Sequence, residues 1–472
     1  MAIPAESPAA ITALVTSRRA PLTPAAMIVF STLNLPLAAL AIAVSAYVPA
    51  YFASHLSMSL TAVGATFGLV RAIDIPVDPL LGIAMDRTLN RLGRYRVWVL
   101  AGAPVLMLSL SMLFMAPPVV PQGYLLFWLL LMYFGLSILQ LAHAAWASSL
   151  ATTYDARARL FGIMGAVGVA GATAVLIIPV VYDAIGRSSN DAVKAMIWTI
   201  IAMIPAASGL VILSTREHVS RDFTRRHGFN FKAYVALVTH PSMARILAAD
   251  LLFSLGVGWM GASTVFFFRF GKGFTTGQFS LLLIVYLVSG VVGAPLMARI
   301  AVRLSKHRAA MLASGIYCCA YMILGLAPRQ NFWVSAAGMT VAGITGAGFN
   351  ALTRAMIADV SDEIRLDQGK DRAGLLYALI TTTSKISSAV AIALTFFVLD
   401  WIGFSARDGA ANTKSAIQGM ELSLVVTPIA FCILATFCLM GYALGPERLR
   451  EIQRRLAERE AQFTASPNSS VS

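Results

Sequence analysis

The sequence predicts an all-α membrane protein whose twelve membrane-spanning helices form two halves of six. Of its 472 residues, 58% are hydrophobic and 12% are charged, whereas about a quarter of a soluble domain is charged. The mean hydropathy is +0.75. Twelve apolar runs are long enough to cross a bilayer, and the longest polar interruption divides them equally. This pattern excludes a soluble enzyme, a disordered protein and a disulfide-stapled secreted domain.

Polar segments divide the chain into five parts. We expect a cytoplasmic N-terminal segment, a first six-helix bundle, a central cytoplasmic loop, a second six-helix bundle and a basic cytoplasmic tail, at 1–25, 26–214, 215–241, 242–446 and 447–472. Spans are predicted at 26–52, 59–85, 96–116, 123–150, 159–183, 194–214, 242–270, 275–300, 308–327, 332–359, 372–402 and 418–445. Charged turns that recur at the same place in each half suggest parallel repeats.

The distribution of Lys and Arg predicts the orientation of the chain. The net charge of +14 would suggest nucleic acid in a soluble protein, but here the basic residues lie in short loops. With both termini inside, 26 of the 36 Lys and Arg face the cytoplasm and seven face the opposite side. We therefore expect a monomer in the plasma (inner) membrane, with the lipid bilayer and a small solute as partners, no nucleic acid and no cofactor beyond a coupling ion.

The second span carries three charged residues at one face. Arg71, Asp74 and Asp78 are spaced i, i+3 and i+7, which aligns them along a helix. Charges inside a membrane are costly and indicate function by default. Two neighbouring carboxylates can share a proton or offer oxygens to Na⁺, so they predict a coupling-ion site. The structural alternative is that Arg71 neutralises Asp74 while Asp78 approaches the headgroups.

Lys385 supplies the complementary charge deep in the eleventh span. It lies thirteen residues after Arg372, or about 20 Å along a helix. That distance disfavours the alternative that Lys385 reaches the headgroups. We expect it to pair with the acids of the second span.

Two further clusters are candidates for substrate binding. Asp250 precedes the pair Gly256 and Gly258 in the seventh span, where a broken helix would line a pathway. It could equally be capped near the inner interface. Gln140, His143 and Trp146 share one face of the fourth span, which suits a sugar ring or a polar headgroup, or simply joins helices.

One motif gives the sequence a family resemblance. The stretch from Arg71 to Thr88 reads R-x-x-D-x-x-x-D-P-x-x-G-x-x-x-D-R-T and is followed by Gly93-Arg94. A second block contains Asp359, Asp362, Gly369, Lys370, Arg372, Gly374, Tyr377 and Lys385. Both blocks, together with Trp146 and the turn from Asp155 to Arg159, resemble the glycoside–pentoside–hexuronide:cation symporters, the melibiose-permease group of the major facilitator superfamily. The likeness covers roughly residues 26–445.

This resemblance implies alternating access and a coupling cation, Na⁺ or H⁺, at Asp74 and Asp78. Melibiose-type members grip the sugar with one acid in the first helix and one in the fourth, and Ala38 and Ala142 stand at those positions. Asn34, Gln140 and His143 could replace these hydrogen bonds, so we expect a sugar, glycoside or related polar solute.

Other functions remain open at this stage. A lysolipid-like amphiphile carrier would also keep the second-span acids and Lys385. A membrane-embedded enzyme or a non-transporting scaffold is weakly supported, because the sequence has no metalloprotease, nucleophile-elbow or P-loop motif.

Short basic loops also predict a cytoplasmic latch. We expect Arg87 and Arg94, with Asp86, to pair with acids of neighbouring loops when the inner side is closed. The candidate gating residues are Asp86, Arg87, Arg94, Asp155, Asp359, Asp362 and Arg372.

Overall fold

The computed structural model describes residues 23–55, 59–88, 90, 92–117, 121–151, 153–215, 217, 237–368, 373–407, 410–442 and 444–465. Twelve helices in these ranges are long and apolar enough to span a membrane. The first half consists of Pro24–Ala46, Leu60–Arg87, Arg94–Phe114, Gln122–Leu150, Tyr154–Ala184 and Ser189–Ser214. The second consists of Pro241–Phe266 with a π-helical turn Phe267–Gly271, then Thr276–Leu304, Lys306–Leu326, Phe332–Gln368, Ala373–Trp401 and Lys414–Leu439. We call these spans 1 to 12.

Polar side chains fix where several spans begin. Ser59, Thr153 and Thr413 each accept a hydrogen bond from a first-turn backbone N–H of the helix that follows, which satisfies donors that would otherwise be orphaned. Thr275 and Gln278 form a reciprocal capping box at the start of span 8.

Span 1 is broken where a single helix was predicted. It comprises Pro24–Ser31 and Asn34–Ala46, and a short helix Val48–His55 follows. Each interruption precedes a proline, Pro36 or Pro49. Proline lacks the N–H that would bond four residues back, and its ring clashes with that carbonyl. The predicted continuous span over 26–52 is therefore wrong in detail.

Two helices extend from the end of the bundle that carries the chain termini. Span 10 continues to Gln368, nine residues beyond the predicted end at 359. The basic tail forms the helix Pro446–Ala465. Its Ile452 is buried, and the helix packs against span 10. The tail is thus docked on the protein rather than held by lipid alone.

Small residues allow close packing between spans 8 and 10. A side chain at Gly293 would collide with the backbone of Ile344, and one at Gly343 with the backbone of Tyr286. Glycine lets membrane helices approach to backbone contact. Dispersion and weak hydrogen bonds then hold the helices together, because the hydrophobic effect does not drive helix association inside a lipid bilayer.

The two halves meet at the far end of the bundle, opposite the end that carries the termini. Tyr47 and Ser280 share a hydrogen bond of 2.6 Å between their hydroxyl oxygens. Thr275 donates to Asp183 at 2.6 Å, and Thr61 donates to Asp400. Span 2 also packs against span 11 here.

This packing leaves no spare room at Gly64. A Cβ at that position would lie 2.8 Å from Cβ of Phe396 and 3.3 Å from the carbonyl oxygen of Ala393. Real Cβ atoms do not approach so closely, so the two spans would have to separate.

We expect Gly64→Ala to disfavour closure of the far end. Overpacking costs about 1 kcal/mol or more, so the ratio of closed to open conformers should fall about fivefold or more. Gly82→Ala in the same helix is the matched control, because nothing lies within 4 Å of the added carbon. The ratio of closed to open conformers is measured from the distance between two spin labels. One label is in the loop that joins spans 5 and 6, and the other is in the loop that joins spans 7 and 8. Identical distance distributions in the two variants would contradict this expectation.

Candidate functional site

A charged cluster joins the two halves in the middle of the bundle. The Asp74 carboxylate on span 2 is 2% exposed, and Lys385 on span 11 reaches it with an Nζ–Oδ2 distance of 2.9 Å. The same ammonium pairs with Oδ2 of Asp78. The Nη1 atom of Arg71 lies 3.6 Å from Oδ2 of Asp74. The structure therefore brings together the four charged residues that the sequence singled out.

Span 4 completes this cluster with two residues that the sequence analysis missed. Ser137 donates to Asp74 Oδ1 at 3.0 Å and lies 3.4 Å from Lys385 Nζ. Tyr133, one turn earlier, places its ring 4.1 Å from Cζ of Arg71, a cation–π contact. The two residues are four apart in an apolar run, and periodicity alone does not tell which face of that run meets span 2.

The cluster has the chemistry of a cation site. Two carboxylates and one hydroxyl supply the oxygen ligands that Na⁺ and similar hard cations prefer. Oδ1 of Asp78 is buried and has no hydrogen-bond partner among the described residues. A cation bound at these oxygens would compete with Lys385 for both acids. Proton binding to one carboxylate would weaken the same ion pairs.

His143 and Trp146 are buried in the first half, where both rings pack against Phe30 and His143 contacts the partly buried Asn34. The Nδ1 atom of His143 lies 3.1 Å from Oδ1 of Asn34, and its Nε2 lies 2.9 Å from the carbonyl oxygen of Phe30. Trp146 is fully buried, and its Nε1 has no partner in the described part of the chain. Gln140 is exposed, so the three residues of span 4 do not share one environment as expected.

A central cavity of about 1080 Å³ lies between the halves. Spans 1, 5, 7, 8, 10 and 11 line it, with polar groups from Ser45, Tyr286, Asn350, Arg354, Ser384 and Ser388. These residues were not predicted as substrate contacts, because a serine or asparagine in a span has no distinctive spacing. The cavity is large enough for a sugar or a small glycoside.

Asp250 lies behind the cavity wall. Its carboxylate is 1% exposed. Thr353 approaches Oδ1 at 3.5 Å and Ser384 approaches Oδ2 at 3.4 Å. Arg354 lies within electrostatic reach of it. Asp250 therefore sits beside the cavity, but the expected break is wrong, because span 7 is a continuous α-helix through Gly256 and Gly258. The groups around Asp250 are protein hydroxyls and the charge of Arg354.

The predicted gating residues lie at the end of the bundle that carries the termini. Asp359 pairs with Lys306 of its own half at 2.7 Å. Asp155 is exposed in the first turn of span 5, Arg87 is exposed, and Asp362 is partly exposed. The side chain of Asp86 and all of Arg372 lie outside the described residues. The latch across the halves stays a prediction for the state in which this end is closed.

Glu217 adds an unpredicted contact in this region. Its carboxylate accepts hydrogen bonds from the backbone N–H groups of Arg94, Tyr95 and Arg96 at 2.9, 2.9 and 3.2 Å. An anion is stabilised at a helix N-terminus by these free donors and by the helix dipole. Gly93, at φ 117°, precedes the helix and leaves space where a side chain would collide with Glu217.

Comparison with known proteins agrees with this architecture. Twelve spans around a central cavity, with an acid–lysine cluster between two halves, define a membrane transporter of the major facilitator type. Residues 29–445 match the family described as MFS/sugar transport protein. The chain belongs to this family, and its resemblance to the glycoside–pentoside–hexuronide:cation symporters is confirmed. It is a transporter and not an enzyme.

Relatives cover most of the chain at low identity. The glucuronide carrier protein homolog of Escherichia coli (strain K12) is 25% identical over 421 residues, covering 85% of this chain and 88% of that protein. The isoprimeverose transporter of Lactiplantibacillus pentosus is 23% identical over 442 residues, covering 89% of each. Among solved structures, the nucleoside transporter NupG matches with a TM-score of 0.64 and 12% identity, covering 88% of this chain and 98% of that one. A likeness at this identity shows the fold alone.

We expect Ser137→Ala to lower thermal stability, because it leaves Asp74 Oδ1 buried without its hydrogen bond. The loss of a hydrogen bond to a charged group costs about 1.5–3 kcal/mol. Ser109→Ala is the control, because this equally buried hydroxyl donates only to the Leu106 carbonyl of its own helix at 2.9 Å. Unfolding temperatures measured at one scan rate compare the two variants. Equal shifts would show that Ser137 does not support the cluster.

Proposed function

We propose that the protein is a cation-coupled symporter that moves a sugar, glycoside or related small polar solute by alternating access. One observation carries this proposal: a single ammonium, that of Lys385, bridges the carboxylates of Asp74 and Asp78 across the two halves. The sugar-transport family and the carriers among its relatives support the class of substrate. No separate feature of the described residues favours a lysolipid carrier.

Competition for the carboxylates gives a physical basis for coupling. Without a cation, Lys385 and Arg71 neutralise Asp74 and Asp78, and Lys385 holds span 11 against span 2. A cation at the acids displaces the ammonium and weakens this contact. Since charges in a low dielectric interact strongly, occupancy of the site would change the relative free energies of the two transport states.

The closed far end and the central cavity support a carrier that opens toward the end bearing the termini. Hydrogen bonds from Tyr47, Thr61 and Thr275 join the halves at the far end. At the terminal end, the pair of Lys306 and Asp359 and the cap at Glu217 each lie within one half. Rocking of one half against the other would break the far-end hydrogen bonds and form the predicted latch around Arg94 at the terminal end.

We further propose a plasma (inner) membrane location, both termini in the cytoplasm, a working monomer and either Na⁺ or H⁺ as the coupling ion. The excess of Lys and Arg in loops on the terminal side supports the orientation. It predicts that a phosphatase fused after Ser472 stays inactive, whereas one inserted after Gly403, in the loop between spans 11 and 12, is active. The reverse pattern would contradict the orientation and leave the transport proposal intact.

The main test neutralises the two acids. We expect Asp74→Asn and Asp78→Asn each to abolish accumulation of substrate against its gradient, because an amide no longer offsets a desolvated cation. Exchange of substrate down its gradient should persist, since the cavity residues are unchanged. Glu458→Gln, which removes an exposed tail carboxylate paired with Arg454, is the control.

Energised vesicles with Na⁺ and pH varied separately provide the measurement, after insertion has been verified for each variant. The ion whose gradient drives uptake in the unmodified protein is the coupling ion. Full accumulation with unchanged ion dependence in both Asn variants would exclude a coupling site at these acids.

A further inference from the structure

A second cavity, of about 460 Å³, lies at the terminal end of the second half. One wall is the turn between spans 8 and 9, and the other is the start of the tail helix Pro446–Ala465. The cavity shares no lining residue with the central cavity. Its volume falls in the range of about 300–1,000 Å³ that is typical of small-ligand sites, and the proposed transport cycle gives it no role.

Cationic side chains surround this second cavity. Arg303 of span 8, Arg308 of span 9 and Arg450 of the tail helix line it, together with His307. Among the described residues of the lining, Glu447 is the single acid, so the wall carries a charge of +2 when His307 is neutral. Like charges around one cavity repel one another, and an anion between them would relieve this repulsion.

The other charges near the cavity already have partners. Lys306, which follows Ser305 in the turn, pairs with Asp359 at 2.7 Å. Three further arginines of the tail helix pair with glutamates of the same helix. The ion pairs of the described residues include none of the guanidinium groups of Arg303, Arg308 and Arg450. Their N–H donors, five in each planar fork, are therefore available to an oxyanion.

The N-terminus of span 9 adds to the positive potential of this site. Ser305 is the one residue between spans 8 and 9, at φ 83°, and its side chain does not cap span 9. Its hydroxyl oxygen lies 3.3 Å from Nδ1 of His307 instead. The first N–H groups and the dipole of a helix stabilise an anion at its N-terminus, in the same direction as the arginines.

The rim of the cavity is apolar and exposed. Val302 is 87% exposed and Leu304 is 43% exposed, and both line the cavity in the last turn of span 8. At the end of a membrane span, lipid acyl chains cover such side chains while the lipid phosphates meet neighbouring arginines. The position therefore places the cavity at the level of the lipid head groups.

We propose that this cavity is a binding site for a phosphoryl group. Arginine holds phosphate oxygens through paired, charge-assisted hydrogen bonds. The phosphodiester of an anionic phospholipid and the phosphate of a soluble ester share this chemistry, and the exposed Val302 and Leu304 favour the lipid. The inference concerns a site apart from the coupling ion and the transported solute, so it holds whichever solute is carried.

A bound phosphoryl group would fasten the tail helix to the second half. Arg303 and Arg308 belong to one wall and Arg450 to the other, so one anion among them bridges the two walls. The tail helix also packs against span 10, which carries Asp359 of the predicted latch. The ligand is thus placed to hold Asp359 with Lys306 and to regulate opening at this end.

Three probes separate the head group from the acyl chains. Dioctanoyl phosphatidylglycerol is compared with dioctanoyl phosphatidylcholine, which has the same chains and no net charge, and with glycerophosphoglycerol, which is the first head group without chains. Thermal shift of the purified full-length protein, titrated with each probe in detergent, measures affinity. We expect phosphatidylglycerol to bind at least about tenfold more tightly than phosphatidylcholine.

Substitutions then assign the binding to the cavity. Arg303→Gln and Arg308→Gln should each weaken binding of phosphatidylglycerol about fivefold. Arg299→Gln is the matched control, because this exposed arginine lies one turn before Arg303 and does not line the cavity. Glu447→Gln removes the acid from the wall and should strengthen binding by a similar factor, a gain that a folding defect does not produce.

The outcomes separate the sources of the phosphoryl group. If glycerophosphoglycerol binds as tightly as the lipid and loses affinity in the same two variants, the site stands and its ligand is a soluble ester. Equal weakening in all three arginine variants would show a general attraction to basic surface and would overturn the site. Equal affinity for phosphatidylglycerol and phosphatidylcholine, with no binding of glycerophosphoglycerol, would overturn it too. None of these results bears on symport, which the Asn variants of Asp74 and Asp78 test separately.

Discussion

The ion pairs of Lys385 with Asp74 and Asp78 are the interaction on which the rest of the structure depends. They join span 11 to span 2, and thus one half to the other, at membrane depth. A buried ion pair is not a strong source of stability by itself, because desolvation offsets much of the Coulombic gain. Its importance is that removing one partner leaves an uncompensated charge. In the proposed mechanism, another cation replaces the ammonium when the two halves separate at this point.

The surrounding residues hold the acids and Arg71 in place around Lys385. Ser137 holds one oxygen of Asp74, and the ring of Tyr133 supports Arg71. Neither contact depends on Lys385, so both would persist if the ammonium moved away. The far-end hydrogen bonds and the tight packing at Gly64 hold the same two helices together beyond the cluster. The pair thus works within an interface that is closely packed toward the far end, while the same span 11 lines the central cavity with Ser384 and Ser388.

Spacing was sufficient to predict one part of the site, and helix packing determined the rest. The i, i+3, i+7 pattern placed Arg71, Asp74 and Asp78 on one face. Because an unpaired charge in a membrane is costly, Lys385 was predicted to pair with the two acids. Rotation of span 4 about its axis could not be read from an apolar run. Ser137 was therefore missed, and Gln140 was grouped with two buried residues although it is exposed.

Long-range partners were equally hidden from the sequence. The pairing of Asp359 with Lys306 and the capping of span 3 by Glu217 join segments that are far apart in the chain. Spans were predicted well because hydrophobic length is a local property. The two breaks in the first predicted span are also local, since each precedes a proline, and closer attention to Pro36 and Pro49 would have found them.

Ser384 and Lys385 are consecutive residues of span 11, yet their side chains contact different halves of the protein. One approaches Asp250 behind the cavity, and the other reaches the acids of span 2. Successive side chains of a helix point about 100° apart, so a rigid rotation of this helix would move both contacts at once. Any rotation of span 11 would therefore couple the ion pairs with span 2 to the contact at Asp250, on the wall of the cavity.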